Sequence, residues 1–278
     1  MSLEPGEARR LLKWLTDAGA DEALVDAPID RYETAKTPAV ELPPIAERAR
    51  EPARSAPAPA AAALPLRQVA AQPITAATAS ARELAAACHS LDELRAAVER
   101  FDACALKTTA KSTVFSAGPA DAPVMLIGEG PGREEDLEGL PFVGRSGQLL
   151  DRMLESIGLS RQTNAYITNV IFWRPPGNRP PTAEEVAICA PFLLRHIELK
   201  APKVIVLLGA TPLKHVLNTE EGITRARGRW NRYTASGGEI PALPTFHPAY
   251  LLRTPAAKRQ SWQDFLNLKL KLRELGAL

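Results

Sequence analysis

Glu129, Asn169 and His247 are the side chains of this sequence best suited to act on one ligand. A carboxylate can serve as a general base or hold a developing cation. An amide reads a donor and an acceptor on the same ring edge, and an imidazole can donate to an oxygen where negative charge builds. Glu129 lies in VMLIGEGPGREEDLEGLPFVGRSGQLLDRML (124–154), where an apolar run breaks into a turn of Gly128, Gly130, Pro131 and Gly132 and then turns helical. The acids Glu134, Glu135 and Asp136 follow, and Phe142 comes 13 positions after Glu129. A carboxylate and an aromatic ring on a rigid turn are what a pocket for a flat polar ligand requires.

Taken singly, each residue has an ordinary alternative: Glu129 as a solvated turn residue, Asn169 as a strand-end cap, His247 before Pro248 as a satisfied turn histidine. The glycines also invite comparison with a dinucleotide-phosphate turn. The third glycine of G-x-G-x-x-G would fall at Arg133, however, and no Lys-Ser or Lys-Thr pair follows for a Walker loop. Glu129 inside the loop would repel a phosphate, which ranks a nucleotide-binding enzyme second.

The elements that must position these residues alternate. Strands are predicted at 123–128, 165–170, 203–208 and 242–246, and helices at 146–157, 182–200, 211–217 and 258–275. SARELAAACHSLDELRAAVERF reads as one or two further helices, with Ser90 and Glu93 at capping-box spacing. This alternation predicts a three-layer α/β/α fold around a mostly parallel four-stranded sheet. Ligands in such folds bind beyond the carboxyl ends of the strands, and Glu129, Asn169 and His247 each fall at that end of a predicted strand.

Composition limits the rest. The 278 residues are 45% hydrophobic and 24% charged, the balance of a soluble globular chain. No apolar run approaches the roughly 18 residues that span a bilayer, and MSLEPGEARRLLKWL lacks the pattern of a secretory signal. Cysteines at 88, 104 and 189 make no disulfide framework, so a reducing, cytoplasmic setting is expected. A net charge of +2 is too small to imply a nucleic-acid partner without local clustering. Residues 1–36 read as an arm with a short amphipathic helix at 5–18. The stretch 37–77, with 8 Pro and 14 Ala, reads as an extended linker, and 78–278 as the folded domain.

Four ordered motifs give the folded domain a specific likeness. GEGPGREEDLEGLPFVGRSGQLL (128–150), NVIFWRPPGNRPPTAEE (169–185), ITRARGRW (223–230) and PTFHPAYLLR (244–253) resemble the blocks of family 4 uracil-DNA glycosylases, in their order. The likeness covers roughly residues 98–275. It implies an enzyme that flips uracil out of DNA and hydrolyses its N-glycosidic bond, opening base-excision repair. Under it Phe142 stacks on the uracil, Asn169 reads O4 and N3–H, His247 meets O2, and Glu129 handles the attacking water. Gly128 and Gly130 complete the base pocket, and Glu135 lines the C5 edge against a thymine methyl. No lysine is placed for a lyase step.

The resemblance also implies DNA contacts, by Arg174 and Arg179 in RPPGNR, by Arg225 and Arg227, and by a Leu251–Arg253 wedge. Leu251 and Leu252 could equally belong to the core. Family members carry a 4Fe–4S cluster on four cysteines, but here Phe101 and Trp173 stand at two of those positions and only Cys104 and Cys189 remain. No cluster is therefore expected. The expected partner is uracil-containing DNA, single- or double-stranded, met by a monomer at the nucleoid with no membrane association. A product-holding or inactive DNA-binding protein on the same fold is the alternative.

Overall fold

The computed structural model describes residues 74–278. The expected helix at 5–18 and the linker up to residue 73 lie outside the described residues. Helix α1 (Ile74–Ala86) begins four positions ahead of the expected boundary at 78. Helix α2 (Leu91–Arg100) starts where the capping spacing predicts, with Ser90 Oγ accepting from Glu93 N at 3.1 Å. Next come α3 (Ala105–Thr109), β1 (Val124–Gly128), α4 (Arg133–Glu138), α5 (Arg145–Glu155) and β2 (Ala165–Asn169). They are followed by α6 (Ala183–Lys200), β3 (Val204–Leu208), α7 (Ala210–Leu217), α8 (Ile223–Ala226), β4 (Asn231–Ala235) and β5 (Gly238–Thr245). Two last helices, α9 (Pro248–Arg253) and α10 (Lys258–Glu274), close the chain.

The sheet has five strands rather than the expected four, in the order β2-β1-β3-β5-β4. β2, β1, β3 and β5 are parallel, and β4 pairs antiparallel to β5 through a hairpin closed at Ala235↔Gly238. The missing strand, NRYTA, is an edge strand with only Tyr233 buried, so it has no apolar run to announce it.

β1, β2 and β3 are buried at every position, as expected for parallel strands covered on both faces. Val124 and Leu126 face a core with Leu150 and Leu154 of α5 and Phe265 and Leu268 of α10. Met125 and Ile127 point the other way, into a core with Leu94 of α2 and Phe192 of α6. The period-2 alternation of one strand thus supplies both hydrophobic layers.

Chain direction places the crevice. β1 is followed by a crossover to β2 on one side, whereas β3 leads toward β5 and β4 on the other. The sheet therefore reverses its winding between β1 and β3, and the carboxyl ends of these two strands open onto a switch point.

Candidate active site

A cleft of 660 Å³ opens at this edge, with Glu129, Gly132, Glu135, Phe142, His247 and Arg253 among its lining residues. Glu129 leaves β1 directly and is half-buried. Its Oε2 accepts a hydrogen bond from Thr211 Oγ1 in the first turn of α7.

The turn beyond β1 is braced from within. Glu135 accepts from the backbone N–H of Gly132, Val143 and Gly144, each at 3.0 Å. Asp136 accepts from Lys111 N at 2.8 Å and Ser112 N at 3.1 Å, fastening the segment before β1. Two of the three clustered acids thus hold backbone, and both oxygens of Glu135 are engaged in doing so.

Phe142 is 5% exposed and takes a left-handed φ of 56°. For a bulky residue that conformation costs on the order of 1–3 kcal/mol and persists only where its surroundings impose it. Arg161 imposes it here, donating to Pro141 O at 2.9 Å and Phe142 O at 2.7 Å while Asp151 holds its Nε at 2.7 Å. Gly147 completes the fit, since a methyl group there would lie 1.8 Å from Phe142 O.

Asn169 ends β2 in register with Gly128 and is 1% exposed. A methyl on Gly128 would come within 2.5 Å of both Asn169 Oδ1 and Phe142 Cζ, so amide and ring tip meet across the bare glycine. Neither Oδ1 nor Nδ2 of Asn169 has a partner among the described residues. Leaving a buried polar group unpaired costs about 1–3 kcal/mol. Among the described residues, the only other such atom is His196 Nδ1.

His247 caps α9, its Nδ1 accepting from Ala249 N at 3.1 Å. That bond leaves the proton on Nε2. Burial, aided by the charge of Arg253, pushes the imidazole down to about 4, so the ring is a neutral donor near pH 7. It lies with its centroid 5.4 Å from that of Phe142, tilted by 31°. Glu129, Phe142 and His247 therefore line one cleft, and Asn169 lies buried behind it, against the tip of the Phe142 ring at Gly128.

The expected DNA-facing residues divide. Arg225 and Arg253 are exposed. Arg174 Nε donates to Asn178 at 2.6 Å, and Arg179 pairs with Glu185, the capping-box partner of Thr182 at the start of α6. Arg227 does not fit the expected role: it is ion-paired to the buried Asp264, bonded to Gln260 O and laid over the Phe246 ring. Leu251 departs as well. It is 1% exposed and packed with Phe246 and Ala257, the surroundings of a core residue rather than of an exposed wedge. Leu252, its neighbour, lines the cleft.

Residues at the expected cluster positions pack as a hydrophobic core. Phe101 stacks on Trp173 at 6.5 Å and meets Phe192 edge-on at 5.1 Å. Cys104 and Cys189 are fully buried beside them; the neighbouring Cys104 thiol and burial together push the Cys189 thiol well up. Among the described residues, no three His, Cys, Asp or Glu side chains gather to hold a metal. Two thiols behind two aromatic rings do not fit a four-iron cluster.

Thr211, Arg161 and Gly147 were not singled out by sequence reasoning. Thr211 carries the one available signal, following the third strand at the edge where ligands bind.

Comparison with known proteins agrees with this geometry. Residues 115–271 match the profile of the uracil DNA glycosylase superfamily. The chain is 46% identical over 157 residues to a type-4 uracil-DNA glycosylase of Thermotoga maritima, covering 56% of this chain and 80% of that one. It is 38% identical over 180 residues to the type-4 enzyme of Archaeoglobus fulgidus, covering 63% and 90%. With that of Saccharolobus solfataricus it shares 37% over 185 residues, covering 65% and 85%. Matched over more than half its length by a profile that spans the whole cleft, this chain belongs to the uracil-DNA glycosylase superfamily.

Proposed function

We propose that this chain hydrolyses the N-glycosidic bond of deoxyuridine in DNA, leaving an abasic site for base-excision repair. The observation that carries the reading is the buried Asn169 amide, unpartnered at both ends among the described residues and set against the Phe142 ring, which in turn packs on His247. Uracil presents acceptor O4 next to donor N3–H, which one amide satisfies together, whereas cytosine reverses both. Extrusion of the base lets Phe142 stack on its face. His247 Nε2–H then meets O2, where negative charge accumulates as the bond breaks; such donors typically contribute about 10²–10³ in rate. Glu129 orients or deprotonates the water and offsets the positive charge growing on the sugar. Glu135 acts through the loop it braces, which sets the pocket wall facing the C5 edge.

Arg225 and Arg253 serve as phosphate contacts, with Arg174 and Arg179 shaping the loop beside Asn169. The protein acts as a cytoplasmic monomer on uracil-containing DNA, single- or double-stranded. Every group named above comes from one chain, and among the described residues no helix is long and apolar enough to cross a membrane. It works without an iron–sulfur cluster, a reading supported by the aromatic packing of Phe101 and Trp173.

The test is a gel assay. Oligonucleotides with and without a single uracil are incubated with the protein and then treated with alkali. Scission confined to the uracil strand supports the glycosylase, and retention of the DNA without scission supports a binding protein instead.

A further inference from the structure

The β3–α7 turn holds a residue whose contact with the reaction would be indirect. β1 and β3 are neighbours in parallel register, Ile127 opposite Leu207, so their chains leave the sheet side by side. α7 consequently begins beside the turn that carries Glu129, and Thr211 Oγ1 donates to Glu129 Oε2. No other side-chain bond holds this carboxylate among the described residues. A glutamate on a half-exposed turn has three rotatable bonds, and one fixed oxygen restricts them all. Oε2 is engaged, which leaves Oε1 as the oxygen free to accept from water in the cleft.

We propose that Thr211 is a positioning residue for Glu129, its hydroxyl locking the carboxylate so that Oε1 is presented to the attacking water. The inference rests on the glycosylase reading of the cleft. Thr211 touches neither base nor sugar in this account. Its effect belongs to turnover and disappears when the carboxylate is gone.

The experiment measures single-turnover uracil excision, affinity for the same oligonucleotide and melting temperature for Thr211→Val and Thr211→Ser. Val keeps the shape and removes the donor, whereas Ser restores it. Thr211→Val is expected to slow excision by about tenfold or more while affinity stays within about twofold. Thr211→Ser is expected to recover most of the rate. Adding Thr211→Val to Glu129→Gln should slow the reaction no further, since coupled groups are not additive. A Val variant at full rate overturns the proposal, as does Ser no faster than Val, or an equal slowing by Val in the Glu129→Gln background. Absence of excision by the wild-type chain would instead overturn the glycosylase reading itself, and the two failures are told apart by that control.

Discussion

Phe142 and His247, brought from distant turns, lie with ring centroids 5.4 Å apart and planes inclined by 31°. Both residues are held in place. Phe142 is 5% exposed with its main chain tied by Arg161, and the His247 ring is held through Nδ1 by Ala249 N. The pocket is therefore set before any ligand arrives, which is the condition for electrostatic catalysis without reorganisation.

Asn169 should trade stability for function. Asn169→Leu keeps the branched skeleton and removes two unpaired buried atoms, so the fold should gain about 1–2 kcal/mol while excision falls at least about a hundredfold. Asn169→Asp should also lose uracil excision, because O4 then faces an acceptor. Thermal melts beside single-turnover kinetics check both, and full uracil activity in Asn169→Asp would disprove the assigned role of the amide.

Glu129→Gln should reduce turnover by about 10²–10³ and leave DNA affinity within about threefold. Excision kinetics and fluorescence anisotropy on one oligonucleotide measure the two effects. Equal losses in both would argue against a catalytic carboxylate.

Leu251→Ala should cost about 2–4 kcal/mol of stability, the usual cost of a cavity at a fully buried leucine. Affinity of the folded protein for DNA should not change. A base-filling wedge would behave the other way, with stability preserved and affinity lost. Calorimetry and a binding titration at a temperature where the variant is folded separate the two.

Two histidines make stability depend on mild acid. Burial holds His247 down to about 4 and His196 to about 3, both below the ordinary 6.5. The unfolded chain takes up protons near 6.5 while the folded one does not. Their contribution is thus fully present above that value and is lost as pH falls toward 4. Each imidazole should remove roughly a kcal/mol per pH unit inside this window. Melting temperatures between pH 7 and 5 should decline, and less steeply in His196→Gln.

Purified protein should hold less than about 0.1 iron per chain and show no absorbance band near 400 nm, even after anaerobic incubation with iron and sulfide. Iron and acid-labile sulfide assays give the answer, and a brown, stably loaded protein would contradict the aromatic-packing argument.

Much of this was legible in the sequence because parallel sheets are regular. Four strands with apolar runs, and three polar residues at their carboxyl ends, follow from alternation alone. β4 stayed hidden because only Tyr233 of NRYTA is buried. Arg227 read as a DNA contact because a basic run shows its own charges and not Asp264, 37 residues onward. Arg161 and Thr211 stayed hidden for the same reason, since each acts on a partner that only the folded chain brings near.

Gly147 and Gly128, both close-fitting, differ in what stands against them. Gly147 abuts a peptide carbonyl, and main chain cannot be traded for something smaller; no second mutation can make room, so descendants of this protein are confined to glycine there. Gly128 abuts only side chains, Asn169 and Phe142, which could in principle be exchanged. Drift is thus open at Gly128 solely to lineages that rebuild the base-reading groups at the same time, and there a new substrate range would begin.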